Sequence, residues 1–370
     1  MKKRIVAVGM SGGVDSSVAA LLLKQSGYEV FGLFMKNWEE SDKMGQCLAT
    51  QDYEDALAVC QHLDIPLYTV NFTQEYYDLV FNDLLQGLAK GYTPNPDILC
   101  NREIKFKLFL QKALALGADM LATGHYCQIL QEGDSYSLVK GKDPSKDQSY
   151  FVYTLHEKEL SNVCFPVGNL LKSEVRSLAK AHGLPTFAKK DSTGICFIGK
   201  RNFQPFIAKY LPTEKGPIVS VDGKVLGTHI GAFYYTIGQR KGLGIGGEGE
   251  AWFVVDKIIP TNTVVVAQGE SHPALFSNSL QAHQLSWVGA TPQNLPLHCF
   301  AKIRYRQNDQ SCVIENLDNK VAQIRFLSPQ RAATPGQSIV FYQGDICLGG
   351  GVLIKRTHNN KAAARTSRSS

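Results

Sequence analysis

The chain has 370 residues, 44% hydrophobic and 19% charged, the composition of a globular protein with room for two or three domains. No apolar run reaches membrane-spanning length, and "MKKRIVAVGMSGG" lacks the apolar length and cleavage site of a signal peptide, so the expectation is a cytoplasmic protein with no membrane contact. The net charge of +6 is concentrated in the tail: Lys355, Arg356, Lys361, Arg365 and Arg368 stand there without an acid, leaving about +1 elsewhere, so any nucleic-acid surface is a local patch.

"RIVAV" reads as a buried parallel strand of β-branched residues, and Val18, Leu21 and Leu22 begin a helical rhythm that stops at Gly27. Between them lies "GMSGGVDSS", Gly9 to Ser17. A strand feeding a helix N-terminus leaves unpaired backbone N–H groups and a positive dipole end, and Gly12 and Gly13 let an anion approach closely. The spacing provides no Gly-x-x-x-x-Gly-Lys-Ser/Thr lysine for γ-phosphate transfer and no Gly-x-Gly-x-x-Gly dinucleotide turn. The plain alternative is a tight turn capped by Ser16 or Asp15; the combination of Ser11, Gly12, Gly13, Asp15 and Ser16 favours phosphate. The stretch resembles the pyrophosphate loop of the ATP pyrophosphatase superfamily, whose members adenylate a carbonyl and release pyrophosphate.

Further strands are expected at "YEVFGLFM", "PLYTVNF" and "ADMLATGHY", with helices around "EDALAVCQHL", "YYDLVFNDLLQGLAK" and "REIKFKLFLQKALAL". This alternation predicts an α/β domain, a doubly wound parallel sheet with ligands at the carboxyl ends of its strands. Gly124 and His125 belong to that edge. The domain extends over 1–212, with a helical connection over about 155–212 that includes "KSEVRSLAKAHGL" and "FQPFIAKYL". Short β runs split by Gly, Asn and Pro then predict a small central β-rich domain over 213–275 and a C-terminal β-barrel over 276–356. Residues 357–370 read as a disordered basic tail.

Nine scattered cysteines without a Cys-x-x-Cys pair exclude a disulfide scaffold and a metal knuckle, and no metal site is read from the sequence. Two stand out by context. Cys100, in "TPNPDILCNREIKF", is expected at a helix start beside Arg102 and Lys105, a setting that stabilises a thiolate. Cys196, in "STGICFIGK", is flanked by glycines and by Lys189, Lys190, Lys200 and Arg201. "IRYRQ" reads by itself as an exposed strand with a basic face, and "IGQRKGLGIGG" as a flexible glycine-rich loop whose plain alternative is a hairpin.

In order and approximate spacing, "GMSGGVDSS", "NPDILCN", "ATGHY", "KDQSYF", "STGICFIG", "IGQRKGLGIGG" and Tyr305-Arg306 resemble the bacterial tRNA 2-thiouridylase family, and the similarity runs to about Leu353. The resemblance implies adenylation of the C2 carbonyl of the wobble uridine and its replacement by sulfur. ATP, with magnesium, would lie against Gly9, Met10, Ser11, Gly12, Gly13, Val14, Asp15, Ser16, Met35 and Gly124. Cys196 would carry a persulfide, and Cys100 would attack the base or release the sulfur as a disulfide with Cys196. Asp97 would be the acid/base or positioning group, with Asn95, Pro96 and Asp97 lining the base pocket. His125, Lys146, Asp147, Gln148, Tyr305, Arg306 and Gln337 would meet the tRNA. The implied partners are tRNAs for lysine, glutamate and glutamine and a cysteine desulfurase or sulfur-relay protein, with the enzyme a monomer. Two rivals stand beside this: an amide-forming synthetase that adds ammonia, which needs neither thiol, and a tRNA-binding protein that keeps ATP as a structural ligand.

Overall fold

The computed structural model describes residues 3–38, 48–191, 203–318 and 320–357. Its first sheet is parallel, built from β1 (Ile5–Met10), β2 (Glu29–Lys36), β3 (Leu67–Asn71), β4 (Met120–Ala122) and, beyond a hairpin of β5 (Cys127–Glu132) and β6 (Ser135–Lys140), β7 (Val163–Cys164). The strand order is β3-β2-β1-β4-β7. The chain turns one way from β1 to β2 and β3 and the other way to β4, so a crevice opens between the carboxyl ends of β1 and β4.

Alternation along β1 explains the two layers. Val6, Val8 and Met10 pack with α1 (Val14–Gln25), α2 (Leu48–His62) and the helix Lys172–Ala181, whereas Ala7 faces the helical layer from Tyr76 to Ala113. That second layer is not plain α-helix. Tyr77–Phe81 and Cys100–Phe109 are π-helical stretches continued by α turns, Asn82–Ala89 and Leu110–Ala115. π-Helical turns concentrate at functional sites.

The central sheet has the order β10-β11-β8-β9, from β8 (Gly216–Ser220), β9 (Val225–His229), β10 (Trp252–Ile258) and β11 (Thr263–Gln268). The C-terminal strands β12 (Phe276–Trp287), β13 (Leu297–Lys302), β14 (Gln310–Asp318), β15 (Val321–Arg331), β16 (Ser338–Gln343) and β17 (Ile346–Thr357) run β12-β15-β14-β13-β16-β17, and the β12–β17 pairing closes a barrel. The β5–β6 hairpin, which the sequence analysis did not anticipate, joins that barrel: Val139 pairs with Ile346 and Leu138 with Cys347. The "Glu-Gly-Asp" turn at 132–134 was the available signal.

"IRYRQ" departs from its plain reading. β13 ends at Lys302, and Tyr305 and Arg306 lie in the turn beyond it rather than on an exposed strand. Among the described residues no helix is long and apolar enough to cross a membrane.

Candidate nucleotide and RNA site

The loop after β1 is shaped by its own short side chains. The Ser11 and Ser16 hydroxyls lie 3.1 Å apart, the Gly13 amide donates to Ser11 Oγ at 3.3 Å, and Ser16 and Ser17 both donate to the Gly13 carbonyl. Gly12 has φ +69°, and a Cβ there would stand 2.3 Å from the Asp52 carbonyl oxygen of α2. Gly124, at the end of β4, packs as closely: its Cβ would meet the Ser16 nitrogen at 2.8 Å. Two glycines thus let two loops and a helix converge on one crevice. Val14 is buried beneath the loop.

Gly9, Met10, Ser11, Asp15, Ser16, Met35, Gly124, His125 and Gln148 line a cavity of about 170 Å³ together with Lys105, Phe109 and Thr123. The Asp15 charge is offset: Lys172 Nζ lies 2.6 and 2.8 Å from its oxygens and Tyr126 OH donates to it at 2.7 Å. His125 Nδ1 lies 2.8 Å from Thr123 Oγ1, and the ring packs near Phe106 and Phe165. Burial and then the nearby Lys105 charge hold the ring well below the usual histidine range, so at neutral pH it lines the cavity as a neutral group.

The next segment links this cavity to a groove of about 1000 Å³ between the first domain and the barrel. Lys146, Asp147, Lys302, Tyr305 and Arg306 line it, whereas Gln148 turns to the nucleotide cavity and accepts from the Tyr126 amide at 2.9 Å. Asp147 is 5% exposed; its carboxylate accepts from the Gly141 and Ser149 amides and from Lys302 Nζ at 3.2 Å. It shapes the groove from inside. Lys146 Nζ lies 2.7 Å from Asp191, which Lys172 and Arg176 also approach, at 2.9 and 2.8 Å. Burial alone would raise the Asp191 carboxyl, but hydrogen bonds from Lys146 and Lys172 and their charges bring it down to about 2. A chain of ion pairs therefore runs from Asp15 of the loop to Lys146 of the groove.

Asn95 caps a short helix, Pro96–Leu99, by accepting from the Asp97 amide at 3.1 Å, with Pro96 at its first position. Cys100 follows that turn rather than standing at the helix start, and it is completely buried. Arg102, the expected thiolate partner, instead bonds Glu103 at 2.8 Å, and Lys105 faces the nucleotide cavity. Asn37 Nδ2 lies 4.0 Å from the Cys100 sulfur. The carboxamide oxygens of Asn37 and Asn101 are buried without a partner, which leaves two acceptors beside this cysteine for an incoming donor. Asn101 Nδ2 donates to the Phe151 carbonyl, and the Phe151 ring lies 4.4 Å from that of Tyr305, so the cysteine helix and the groove are contiguous. Cys196 lies outside the described residues.

Gln337 reaches the base-pocket segment rather than the groove: its Nε2 donates to the Thr93 carbonyl at 2.6 Å, and the Thr93 amide donates to Pro335 O at 2.9 Å. The barrel thereby braces the segment that carries Asn95–Asp97. Gln337→Ala removes one such bond, worth about 1 kcal/mol, and should speed amide exchange at Thr93 roughly fivefold with exchange in β1 unchanged. Hydrogen exchange read by NMR checks this; equal acceleration in β1 would show that the brace is not local.

Tyr126, Lys172 and Asn37 escaped the sequence reading. Lys172 meets Asp15 across 157 positions, and nothing local in "KSEVRSL" announces it.

A parallel sheet with a glycine- and serine-rich loop at its switch point, followed by two β domains, is the architecture of a HUP-domain protein. Residues 4–200 match the family model described as tRNA methyl transferase HUP domain, 204–268 that of the tRNA methyl transferase PRC-barrel domain, and 277–353 that of the aminomethyltransferase beta-barrel domain. The chain is 59% identical over 353 residues to tRNA-specific 2-thiouridylase MnmA of Protochlamydia amoebophila, covering 95% of this chain and 93% of that one. It is 52% identical over 361 residues to the protein of the same name from Halalkalibacterium halodurans, covering 97% of each. The chain belongs to the tRNA-specific 2-thiouridylase family.

Proposed function

We infer that this protein is an ATP-dependent tRNA-uridine 2-sulfurtransferase that acts on the C2 carbonyl of the wobble uridine. The observation that carries the reading is the convergence of three features: the anion loop, the Cys100 helix whose Lys105 and Phe109 line the same cavity, and the basic groove one residue away along the Lys146–Gln148 segment. The two tRNA methyl transferase descriptions suggest methyl transfer as a second reading. Methyl transfer from a sulfonium donor handles no phosphate, so it gives the loop nothing to hold.

The C2 carbonyl is a weak electrophile with a poor leaving group. In the first step its oxygen attacks the α-phosphorus of ATP, the bond to the bridging oxygen breaks, and pyrophosphate departs with the electron pair while the N3 proton passes to a base, a role assigned to Asp97. Pyrophosphate is held by the loop of Gly9 to Ser16. In the second step the terminal sulfur of a persulfide on Cys196 attacks C2, and AMP leaves with the C–O pair. The Cys100 thiolate then attacks the Cys196 sulfur. The S–S bond breaks toward the base, giving 2-thiouridine, and the two cysteines end as a disulfide that an external thiol reduces. Tyr305 and Phe151 offer rings for an unstacked anticodon base, and Lys146 and Arg306 offer cations for the backbone. Among the described residues there is no group of three metal-ligating side chains, and magnesium would arrive with the nucleotide phosphates. A reaction that cycles thiols suits the reducing cytoplasm, with a desulfurase or relay protein as donor and the enzyme acting as a monomer.

The test is direct. Purified protein, unmodified tRNA, ATP, magnesium and a persulfide donor should yield 2-thiouridine, detected by mass after nuclease digestion, and one pyrophosphate per base converted. Pyrophosphate release without 2-thiouridine would move the reading to an ammonia-using synthetase.

A further inference from the structure

The helix that carries Cys100 turns three cations outward, and their fates differ. Arg102 and Lys107 both bond Glu103, at 2.8 and 2.7 Å, whereas Lys105 lines the nucleotide cavity. Among the described lining residues Lys105 carries the one cationic side chain. Of the other titratable groups lining it, Asp15 is bonded to Lys172 at 2.6 Å and His125 is neutral. The cavity therefore has two poles attractive to anions. One is the loop with its backbone amides at the start of α1. The other is Lys105, which lines the cavity with Phe109, Thr123 and His125 and belongs to the helix that leads back to Cys100.

Resting on the thiolation reading, we propose that Lys105 is a further catalytic residue, which binds the α-phosphoryl group while the loop binds pyrophosphate. When the uridine oxygen attacks the α-phosphorus and the bond to pyrophosphate breaks, negative charge grows on the non-bridging α-oxygens beside Lys105. When sulfur later displaces AMP from C2, the departing phosphate places its new charge at the same ammonium. Lys105 donates no proton in either step. It stabilises charge that is greatest in the two transition states, so its loss falls mainly on kcat.

Lys105→Met and Lys105→Gln test this by two readouts. In the absence of tRNA, titration calorimetry should show AMP binding weakened roughly tenfold and pyrophosphate binding unchanged, which also shows that the loop has folded. With tRNA, the kcat for pyrophosphate release should fall on the order of 10²–10³-fold with the ATP KM within about fivefold. An equal loss of AMP and pyrophosphate affinity, or a kcat within fivefold of the parent, overturns the assignment. A parent protein that binds both anions but releases no pyrophosphate with tRNA overturns the thiolation reading and the catalytic role with it; the AMP arm alone then decides the α-phosphate site.

Discussion

Cys100→Ser is expected to cut 2-thiouridine formation by on the order of 10³-fold or more while tRNA-dependent pyrophosphate release stays within about tenfold of the parent. The substitution exchanges one atom at a wholly buried position, so the helix Cys100–Phe109 and the cavity it lines should persist. What is lost is a soft, polarisable nucleophile that a hydroxyl with a far higher pKa cannot replace at neutral pH. Cys100 is wholly buried after the short helix rather than exposed at a helix start, and Arg102 bonds Glu103 at 2.8 Å. Asn37 Nδ2 lies 4.0 Å from the cysteine's sulfur. Burial shields the thiol from stray oxidants. Quantification of 2-thiouridine beside pyrophosphate separates sulfur transfer from adenylation. Thiolation persisting above a tenth of the parent rate would falsify the role of Cys100.

Gly12→Ala is expected to remove ATP binding and adenylation together. The left-handed φ of +69° costs an alanine about 1–2 kcal/mol by itself. The added methyl would also stand 2.3 Å from the Asp52 carbonyl, so either the loop or α2 must move. A displacement of about 1 Å at a reacting group costs on the order of 100-fold in rate, and here it would disturb every amide facing the pyrophosphate. Binding of pyrophosphate by calorimetry, with thermal unfolding as a control for global damage, reads the effect. Pyrophosphate affinity equal to that of the parent would sink the claim that this loop is the anion site.

These two outcomes draw on different levels of legibility. The anion loop could be read from one short stretch, because its chemistry is local: a strand, two glycines, small hydroxyl side chains and a helix N-terminus adjacent in sequence. The parallel order of the first domain followed from alternating strand and helix signals, and the β texture after Gly216 from periodicity and turn residues. Cys100 stood out by its local context, whereas Asp97 and the Lys146–Gln148 segment were singled out by resemblance, which also supplied all their roles.

What the linear chain determined by itself is therefore the local chemistry and the class of each domain, since backbone periodicity and turn preferences act over a few residues. The tertiary structure alone decided how those pieces share charge and space. Lys172 reaches Asp15, Gln337 grips Thr93, and the β5–β6 hairpin completes a sheet with strands of a barrel some two hundred residues away. It also turned Asp147 inward onto Lys302, paired Arg102 with Glu103 and set Lys105 in the lining of the cavity behind the β1 loop. Contacts of this kind depend on which faces pack together, and a long side chain such as lysine or arginine goes to the partner that packing brings within reach, for which no short-range pattern exists.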